Sequence, residues 1–485
     1  MKRDAIRWIA FFAAVKLLFH FLSNGLYGFH RDELATLDDA RHLAWGYVAY
    51  PPLTPFLGQI ELALFGATPP AFRLLAALAQ SIAIVLTAMT AKCLGGDRSA
   101  QWIAAIAVAI SPISLAASAL FQYVAFDFLW WVLIAYFAVR LIESDDPRWW
   151  IAIGTVIGLG ALTKYTIAFY VAGIVAGVLA TDLRRHLRSR WLWIGMVVSI
   201  AIALPHFLWE ANHGFVTLEF LRHVHARDVR IGRTKDFVLD QIRVASNPVT
   251  IPLSIVGLIA VLQSRRFRML AWMVLVPFAL FLLAQGRGYY TGPLYPILLA
   301  AGSVITEQLV KSRRRAAFAV MAVLAAIGCA VVPIAIPLAR PRTRLFRIAS
   351  ALNHDLREEF GWPEMAREVD RIGASLSPEE RAHSAALCAN YGEAGAISLY
   401  GRTPVLSGVN SFWARGYGNP PPRTLIVLGF GREGLERRFA EVVPAGRIPN
   451  PYGLENEESE RPEIYVCRGL REPWPEFWRR LRSFG

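Results

Sequence analysis

The sequence has few charged residues and very few cysteines, and both shortages exclude classes of protein. Charged side chains make up 18% of its 485 residues, against about 25% in soluble domains. Its four cysteines contain no Cys-X-X-Cys pair, so a disulfide scaffold and a zinc-finger-type site are excluded. The composition also excludes disordered and collagen-like chains, and the sequence has no internal repeat and no low-complexity segment.

The chain is instead rich in apolar residues and carries a net positive charge. Hydrophobic residues make up 55% of the sequence, and 51 Lys and Arg against 37 Asp and Glu give a net charge of +14. Long apolar runs dominate the first two-thirds, which disfavours a soluble nucleic-acid-binding protein. We therefore expect a polytopic membrane protein whose partner is the lipid bilayer, with no nucleic acid, and whose positive charge mostly sets its orientation.

The two ends of the chain differ in charge and in hydrophobicity. Residues 1–337 contain 30 Lys and Arg and 18 Asp and Glu, whereas residues 338–485 contain 21 and 19 and have no run long enough to span a bilayer. The sequence therefore predicts an all-α transmembrane domain at 1–337 and a small α/β soluble domain at 338–485. In the second domain, a buried strand is predicted at 424–430, and helices at 434–440 and 353–372.

Eleven segments approach the roughly 20 apolar residues that a spanning helix needs. They lie near residues 5–24, 72–92, 100–118, 124–142, 150–163, 166–181, 191–208, 248–263, 269–285, 293–310 and 316–337. The first is interpreted as an uncleaved span, because no small-residue cleavage site follows it. The fifth and sixth are short, and the alternative there is one long tilted helix, which would invert the orientation of everything downstream.

Positive charges accumulate in alternate loops, as they do in the cytoplasmic loops of membrane proteins. The clusters lie at residues 2–3, 92–98, 140–148, 184–190, 265–268 and 311–315. This pattern predicts a cytoplasmic N-terminus and an outward-facing soluble domain. The other segments predicted to face outward are 25–71, 119–123, 209–247 and 286–292. The 209–247 loop is itself basic and breaks the rule.

The outward loop at 25–71 begins a helical pattern with two acids, Asp32 and Glu33. Apolar residues at helical spacing from Leu34 to Ala44 predict a helix that lies at the membrane surface. Carboxylates are stabilised at the positive N-terminal end of a helix dipole. Asp32 is therefore either a functional acid or the N-cap of this helix.

Three further charged residues lie in or beside apolar segments. Asp127 is a functional candidate because an unpaired charge in lipid is costly; the alternative is a helix-end residue wetted by headgroup water. Arg287, close to Tyr289 and Tyr290, offers a planar fork that matches phosphate oxygens, or else anchors the chain at the interface. Lys164 either binds an anionic group or extends to the interface.

Two other groups of residues leave alternatives open. His206, Glu210 and His213 are residue types that ligate metals, although scattered histidines on an aromatic loop are more often simply hydrogen-bonded. Cys388 and Cys467 both lie in the soluble domain, where they either form a disulfide or remain buried thiols.

Several of these segments together resemble the family 39-like, PMT-type membrane glycosyltransferases of GT-C architecture. This family is related to the protein O-mannosyltransferases and to the aminoarabinose transferase that modifies lipid A. The matching segments are residues 30–34, 40–48, 51–53, 62–66, 72–75, 159–166, 287–296 and 390–396. Because they extend over nearly the whole chain, the resemblance implies a GT-C membrane domain of about eleven helices.

The resemblance implies an activity and a role for each candidate. A sugar would be transferred from a polyprenyl phosphate to an acceptor hydroxyl on the outer side of the cytoplasmic (inner) membrane. Asp32, in its pair with Glu33, would act as the catalytic base, and Asp127 would support the acceptor or the electrostatics. Arg287 occupies a position where the family usually has Lys and would stabilise the phosphate, with Lys164 as a second candidate. The other residues implied to bind substrate are Tyr289, Tyr290, His30 and Arg31.

The same resemblance bears on cofactors and partners. The residue before Pro51 is often histidine or a polar or acidic residue in relatives but is Tyr50 here, which argues against a metal site of that type. We expect no required cofactor, with a divalent metal as the open alternative. The expected partners are a polyprenyl-phosphate sugar and an envelope lipid, glycan or protein acceptor. The competing interpretations are a transporter or flippase of lipid-linked sugars and an accessory subunit with a degenerate site.

Overall fold

The computed structural model describes residues 4–310 and 314–485 and is mostly helical. Its helices are α1 Asp4–Ser23, α2 Arg31–Arg41, α3 Leu53–Phe65, α4 Pro69–Phe72, α5 Leu74–Cys93, α6 Arg98–Ala109, α7 Pro112–Ala119, α8 Tyr123–Ser144, α9 Trp149–Ala161, α10 Ile167–Leu179, α11 Arg190–Asn212, α12 Val216–Arg230, α13 Phe237–Asp240, α14 Thr250–Gln263, α15 Arg268–Leu283, α16 Tyr295–Val310, α17 Arg314–Ala335, α18 Arg344–Leu352, α19 Trp362–Ser375, α20 Pro378–Ala382, α21 Tyr391–Tyr400, α22 Asn410–Ala414, α23 Arg432–Arg438, α24 Glu457–Glu460 and α25 Trp474–Leu481. The strands are β1 Ser384–Cys388, β2 Val405–Ser407, β3 Thr424–Leu428, β4 Phe439–Arg447 and β5 Glu463–Leu470.

The predicted spans all fall on helices, but their number is not confirmed. Within the described ranges, six helices are long and apolar enough to cross a membrane, or up to nine if each bent pair counts as one span. The span predicted near 100–118 is such a pair, because α6 and α7 meet at a bend of 60°. Pro112 begins α7, and a proline cannot continue the helix that precedes it.

The segment at 150–181 forms two helices, so the alternative of one long tilted helix is wrong. α9 packs against α8 and α11, whereas α10 packs against α15. The chain turns between them at Lys164. Two glycines allow the close crossing of α9 and α11, since a Cβ atom on Gly154 would collide with the backbone of Gly195.

Three of the loops predicted to face the cytoplasm lie together at one end of the helices. The Arg185 guanidinium pairs with Asp145, and Arg266 donates to the backbone carbonyl of Glu143 at 2.9 Å. These contacts join three of the six positive clusters. The predictions that involve Lys2, Arg3, Lys311 and Arg313 lie outside the described residues.

The C-terminal part contains a five-stranded sheet in the order β2-β1-β3-β5-β4. The first three strands are parallel, and β5 runs antiparallel to β3 and β4. Helices α19 and α21 cover one face, and α23 and α25 cover the other. The strand predicted at 424–430 is therefore confirmed as β3, and the helix at 434–440 overlaps α23.

The structure corrects one prediction for this domain and decides between two alternatives. The helix predicted at 353–372 begins only at Trp362, because Gly361 has a φ of 92° and interrupts the chain after a short 3-10 turn. Of the two alternatives for Cys388 and Cys467, the structure shows buried free thiols and no disulfide. They lie in β1 and β5, and β3 runs between these two strands.

Helix α2, predicted from its pattern, is present but does not lie at a free membrane surface. It packs between α3 of the membrane domain and α21 of the C-terminal domain. Gly395 makes this contact close, since a Cβ atom there would lie 2.8 Å from the backbone of Leu34. The apolar side chains that predicted a lipid-facing helix are therefore covered by protein.

The crossing of α9 and α11 gives a test of the fold. We expect Gly154→Ala to destabilise the protein by about 1–3 kcal/mol, because the added methyl group overpacks a backbone contact. Gly434→Ala in α23 is the matched control, since a Cβ atom there meets only the Arg437 side chain at 4.0 Å. Alanine favours a helix over glycine, so this control should be neutral or slightly stabilising. Thermal unfolding of the purified proteins in detergent measures both, and equal transitions would contradict the predicted crossing.

Candidate functional site

A cavity of about 240 Å³ lies between the membrane domain and the C-terminal domain. Each of the five segments predicted to face outward contributes to its wall, through Asp32, Tyr123, Arg227, Arg287 and Tyr391. These segments therefore lie on one side of the bundle. A larger cavity of about 560 Å³ lies within the C-terminal domain between α19 and the end of β4, and none of the predicted site residues lines it.

The Asp32 carboxylate faces this cavity, and its side chain is 42% exposed. The Tyr391 hydroxyl donates to Oδ1 at 2.7 Å, and Nε2 of Gln122 donates to Oδ2 at 2.8 Å. Burial acts to raise the pKa of Asp32, but the nearby His30 and Arg31 and the Tyr391 hydrogen bond outweigh it and hold this pKa below its ordinary value. The carboxylate is thus oriented from both domains and ionised at neutral pH.

The alternative that Asp32 caps α2 is wrong, because His30 is the N-cap. Nδ1 of His30 accepts from the backbone N–H of Asp32 at 3.2 Å, and Glu33 accepts from the His30 N–H at 2.9 Å. This reciprocal pair is a capping box with histidine in place of serine or threonine. The cap leaves the Asp32 carboxylate free for the cavity.

Glu33 lies outside the cavity, in a fully buried ion pair. Arg73 donates to its carboxylate through Nε at 2.8 Å and Nη2 at 2.5 Å, and Nη2 also reaches Glu359 at 3.0 Å. Arg73 and Glu33 are both 0% exposed. Glu33 also accepts from the Phe121 N–H at 2.8 Å. Because these contacts bury the Glu33 carboxylate, it stabilises the structure and is not accessible to a substrate in the cavity.

His30 and Arg31 also do not line the cavity. His30 is buried at the cap, and Arg31 pairs with Glu457 while its guanidinium lies 4.8 Å from the centre of the Tyr391 ring. Both residues therefore act next to Asp32 through charge and packing.

Lys164 lines the cavity from the turn between α9 and α10. Its ammonium lies 4.0 Å from the centre of the Tyr290 ring, 5.4 Å from that of Tyr289 and 5.1 Å from that of Tyr123. Aromatic faces attract cations. Burial lowers the pKa of Lys164 to about 8, although Asp127 acts to raise it.

Asp127 lies behind Lys164 and is 3% exposed. Its carboxylate accepts from the Trp131 indole at 2.9 Å and from the Thr166 hydroxyl at 3.2 Å. It is thus hydrogen-bonded inside the protein and is not wetted by headgroup water. Asp127 is not among the residues that line the cavity, and its negative charge acts to raise the pKa of Lys164.

Arg287 also lines the cavity and is paired with an acid. Its Nε and Nη2 atoms both lie 2.6 Å from Oδ2 of Asp228, which belongs to α12. The Arg287 side chain is 23% exposed. The loop predicted to break the positive-inside rule contributes this acid and, among its cavity-lining residues, two cations, Arg227 and Arg233.

Sequence reasoning missed Asp39, a second acid of the cavity wall. It follows Asp32 by seven residues, which is two helical turns and places both on one face of α2. Asp39 accepts from Tyr50 at 2.8 Å and from Arg415 at 3.1 Å. Burial nevertheless raises the pKa of Asp39 to about 6. The seven-residue spacing from Asp32 is the sequence feature that could have predicted Asp39 on the same face of α2.

Among the described residues, no group of three or more His, Cys, Asp or Glu is arranged to hold a metal ion. The candidate ligands have other partners. His206 contacts the Tyr165 hydroxyl at 2.5 Å and the Trp45 carbonyl at 2.9 Å, and His213 contacts the Trp209 carbonyl at 2.7 Å. Glu210 accepts from Thr217.

Known proteins share parts of this sequence. The family model described as dolichyl-phosphate-mannose-protein mannosyltransferase matches residues 49–209. The chain is 26% identical over 202 residues to the lipid A galacturonosyltransferase RgtD of Rhizobium johnstonii, covering 40% of this chain and 41% of that protein. It is 28% identical over 282 residues to undecaprenyl phosphate-alpha-4-amino-4-deoxy-L-arabinose arabinosyl transferase 1 of Pseudomonas fluorescens. This match covers 53% of this chain and 49% of that protein. The chain thus spans less than half of the length of these curated relatives.

Solved structures share the fold over most of the chain. The apo structure of ArnT from Cupriavidus metallidurans has a TM-score of 0.63 at 16% identity and covers 95% of this chain and 97% of its own. The structure of the same protein bound to undecaprenyl phosphate has a TM-score of 0.56 at 17% identity. The match covers 95% of this chain and 98% of that one. The mycobacterial arabinofuranosyltransferase AftD has a TM-score of 0.53 at 15% identity. The match covers 96% of this chain and 42% of that one. The resemblance to the PMT-type glycosyltransferases of GT-C architecture is therefore confirmed.

The two neighbouring acids, Asp32 and Glu33, should respond differently to neutralisation. We expect Glu33→Gln to destabilise the protein by about 3–5 kcal/mol, because it removes one partner of a buried ion pair. Asp32→Asn changes a half-exposed side chain and should cost at most about 1 kcal/mol. Thermal unfolding in detergent measures both. An Asp32→Asn protein as unstable as Glu33→Gln would contradict this division of roles.

Proposed function

We propose that this chain is a membrane glycosyltransferase that moves a sugar from a polyprenyl-phosphate donor to an acceptor hydroxyl. One observation carries the proposal: a single cavity at the end of the helical bundle contains the Asp32 carboxylate together with the cations of Lys164 and Arg287. A base and a phosphate site on opposite sides of a sugar are what such a transfer requires.

In this proposal, Asp32 is the base. It accepts the proton of the acceptor hydroxyl while the hydroxyl oxygen forms a bond to the anomeric carbon. Tyr391 and Gln122 hold the two carboxylate oxygens, so the base approaches in a fixed orientation. Its lowered pKa keeps it ionised at neutral pH. Proton removal by a positioned carboxylate contributes about 10²–10⁴-fold in rate.

Lys164 and Arg287 serve the leaving group. As the bond between the anomeric carbon and the phosphate oxygen breaks, the electron pair leaves with the polyprenyl phosphate, and negative charge develops on it. Cations that are already in place stabilise that charge without reorganisation. Tyr289 and Tyr290 hold the Lys164 ammonium by their faces, and Asp127 behind it offsets part of the cost of burying it.

The setting of the reaction is also part of the proposal. The charge pattern supports an inner-membrane protein whose cavity and C-terminal domain face the periplasm, and all segments predicted outward meet at this cavity. Undecaprenyl phosphate, the ligand named in one ArnT structure, is the donor lipid we propose. The acceptor is an envelope lipid, glycan or protein, and a lipid A-like acceptor is favoured by the name of one relative. The proposed mechanism requires no cofactor.

Transfer from radiolabelled undecaprenyl-phosphate sugars to an envelope fraction tests the reaction. We expect Asp32→Asn to lower the rate by about 10²–10⁴-fold because the base is lost. Arg287→Ala should lower it by about 10²–10³-fold because a donor to the developing charge is lost. Arg184→Ala, on an exposed residue at the opposite end of the bundle, is the control and should match the wild type. Addition of EDTA should leave the wild-type rate unchanged.

Equal product from Asp32→Asn, Arg287→Ala and the wild type would reject the catalytic proposal and favour an accessory subunit. Accumulation of labelled sugar lipid inside vesicles without a new glycosidic bond would indicate a transporter instead.

The environment of Lys164 predicts an alkaline limb in the pH profile. Burial lowers its pKa to about 8, so the ammonium loses its proton as the pH rises through about 8 and donor binding weakens. We expect kcat/KM, which reports the free enzyme, to fall above that pH by about tenfold per pH unit. Lys164→Arg stays charged over this range and should lack the limb. If kcat/KM of the variant falls above a pH of about 8 as in the wild type, the loss of activity is due to the titration of another group.

A further inference from the structure

Three arginines of the cavity share one carboxylate, that of Asp228. Arg287 contacts Oδ2 at 2.6 Å, and Arg227 and Arg233 lie 3.6 Å and 3.9 Å from Oδ1. Asp228 is 3% exposed, and its Oδ1 atom has no hydrogen bond among the described residues. All three arginines line the cavity. The group, here called the Asp228 cluster, therefore contains three positive charges and one negative charge.

The other acids of the cavity wall do not neutralise the surplus of two positive charges. Asp39 is paired with Arg415 of the C-terminal domain. Asp32 interacts with Arg31 as well as with Arg287, and Lys164 adds a further cation to the wall. The cluster therefore matches a ligand with two negative charges.

The two phosphates of the proposed reaction differ in charge. A sugar polyprenyl phosphate is a diester and carries one negative charge. The polyprenyl phosphate that leaves is a monoester with a second pKa near 6, so it carries about −1.5 to −2 at neutral pH. The surplus of the cluster is thus complementary to the leaving group rather than to the donor. Interactions that strengthen as a reaction proceeds are those that accelerate it.

The position of Asp228 within α12 argues against a purely local role. It lies two residues before the helix ends at Arg230, and a carboxylate in the last turn interacts unfavourably with the helix dipole. The three guanidinium groups offset that cost. Arg287 directs both Nε and Nη2 at a single carboxylate oxygen, and the same two donors can bind phosphate oxygens.

We propose that Asp228 is a positioning residue whose carboxylate occupies a phosphomonoester site formed by Arg227, Arg233 and Arg287 until the leaving polyprenyl phosphate replaces it. This inference rests on the proposed function and specifies which phosphate its cationic site selects. Asp228 holds the arginines in place in the resting protein and competes with the phosphate for them, which prevents the product from binding too tightly.

The test compares a monoester with a diester of the same lipid. Binding of farnesyl phosphate and of farnesyl methyl phosphate to the full-length protein in detergent is measured by calorimetry at pH 7.5. The wild type should prefer the monoester. Asp228→Asn removes the competing charge, so the monoester affinity should rise about tenfold and the diester affinity by only about threefold, because a dianion gains twice the Coulomb energy. Arg227→Gln with Arg233→Gln should abolish the preference.

Two controls separate this effect from misfolding and from net charge. Asp228→Glu keeps the charge and should retain the wild-type preference. Asp236→Asn changes the net charge equally at an exposed position, and both affinities should stay within about twofold, since surface charges are screened.

An unchanged ratio of the two affinities in Asp228→Asn, or a loss of monoester binding, would overturn the inference. This binding test can fail or succeed separately from the transfer assay that tests the proposed function. If the protein transfers sugar but the ratio of monoester to diester affinity is unchanged in Asp228→Asn, only the proposed role of Asp228 is rejected. If the affinity ratios are as expected but no sugar is transferred, the phosphate site stands and the proposed glycosyltransferase activity is rejected.

Discussion

The buried contact of Arg73 with Glu33 and Glu359 is the interaction on which the rest of the structure depends. Arg73 begins α5, Glu33 lies in the first turn of α2, and Glu359 precedes α19 of the C-terminal domain. The same guanidinium donates to the carbonyls of Asn24 and Gly28 at 2.8 Å. One cation thus joins the end of α1, the start of α2, the start of α5 and the second domain. Without this cation, the two buried carboxylates would have no opposite charge beside them, and their burial would strongly destabilise the fold.

This contact fixes the rotation of α2 and therefore what its other acids can do. Once Glu33 points into the protein, Asp32 is turned by about 100° to the cavity side, and Asp39, two turns later, follows it. The C-terminal domain then completes the wall, with Tyr391 on Asp32 and Arg415 on Asp39. The C-terminal domain thus supplies a direct partner of the proposed base, Tyr391.

Local patterns explain what was predictable. Spans, strand β3 and helix α2 follow from hydrophobic periodicity, and Asp127, Lys164 and Arg287 stand out because a charge among apolar residues is costly wherever it lies. The partners were not predictable, because Tyr391 follows Asp32 by 359 residues and carries no local sign of it. Glu33 and Asp32 look alike in sequence. Only the three-residue spacing from His30, which makes a capping box, distinguishes them.

The arginines that break the positive-inside pattern have a common physical explanation. Lys and Arg are disfavoured in short outward loops, so a cation retained there must gain an interaction in the folded protein that outweighs this bias. Arg227, Arg233 and Arg287 come from two such loops, and all three meet Asp228 at the cavity. One carboxylate cannot neutralise three guanidinium groups. In the proposed function, the anionic leaving group adds the missing negative charge, and the exceptions to the predicted topology lie where it would bind.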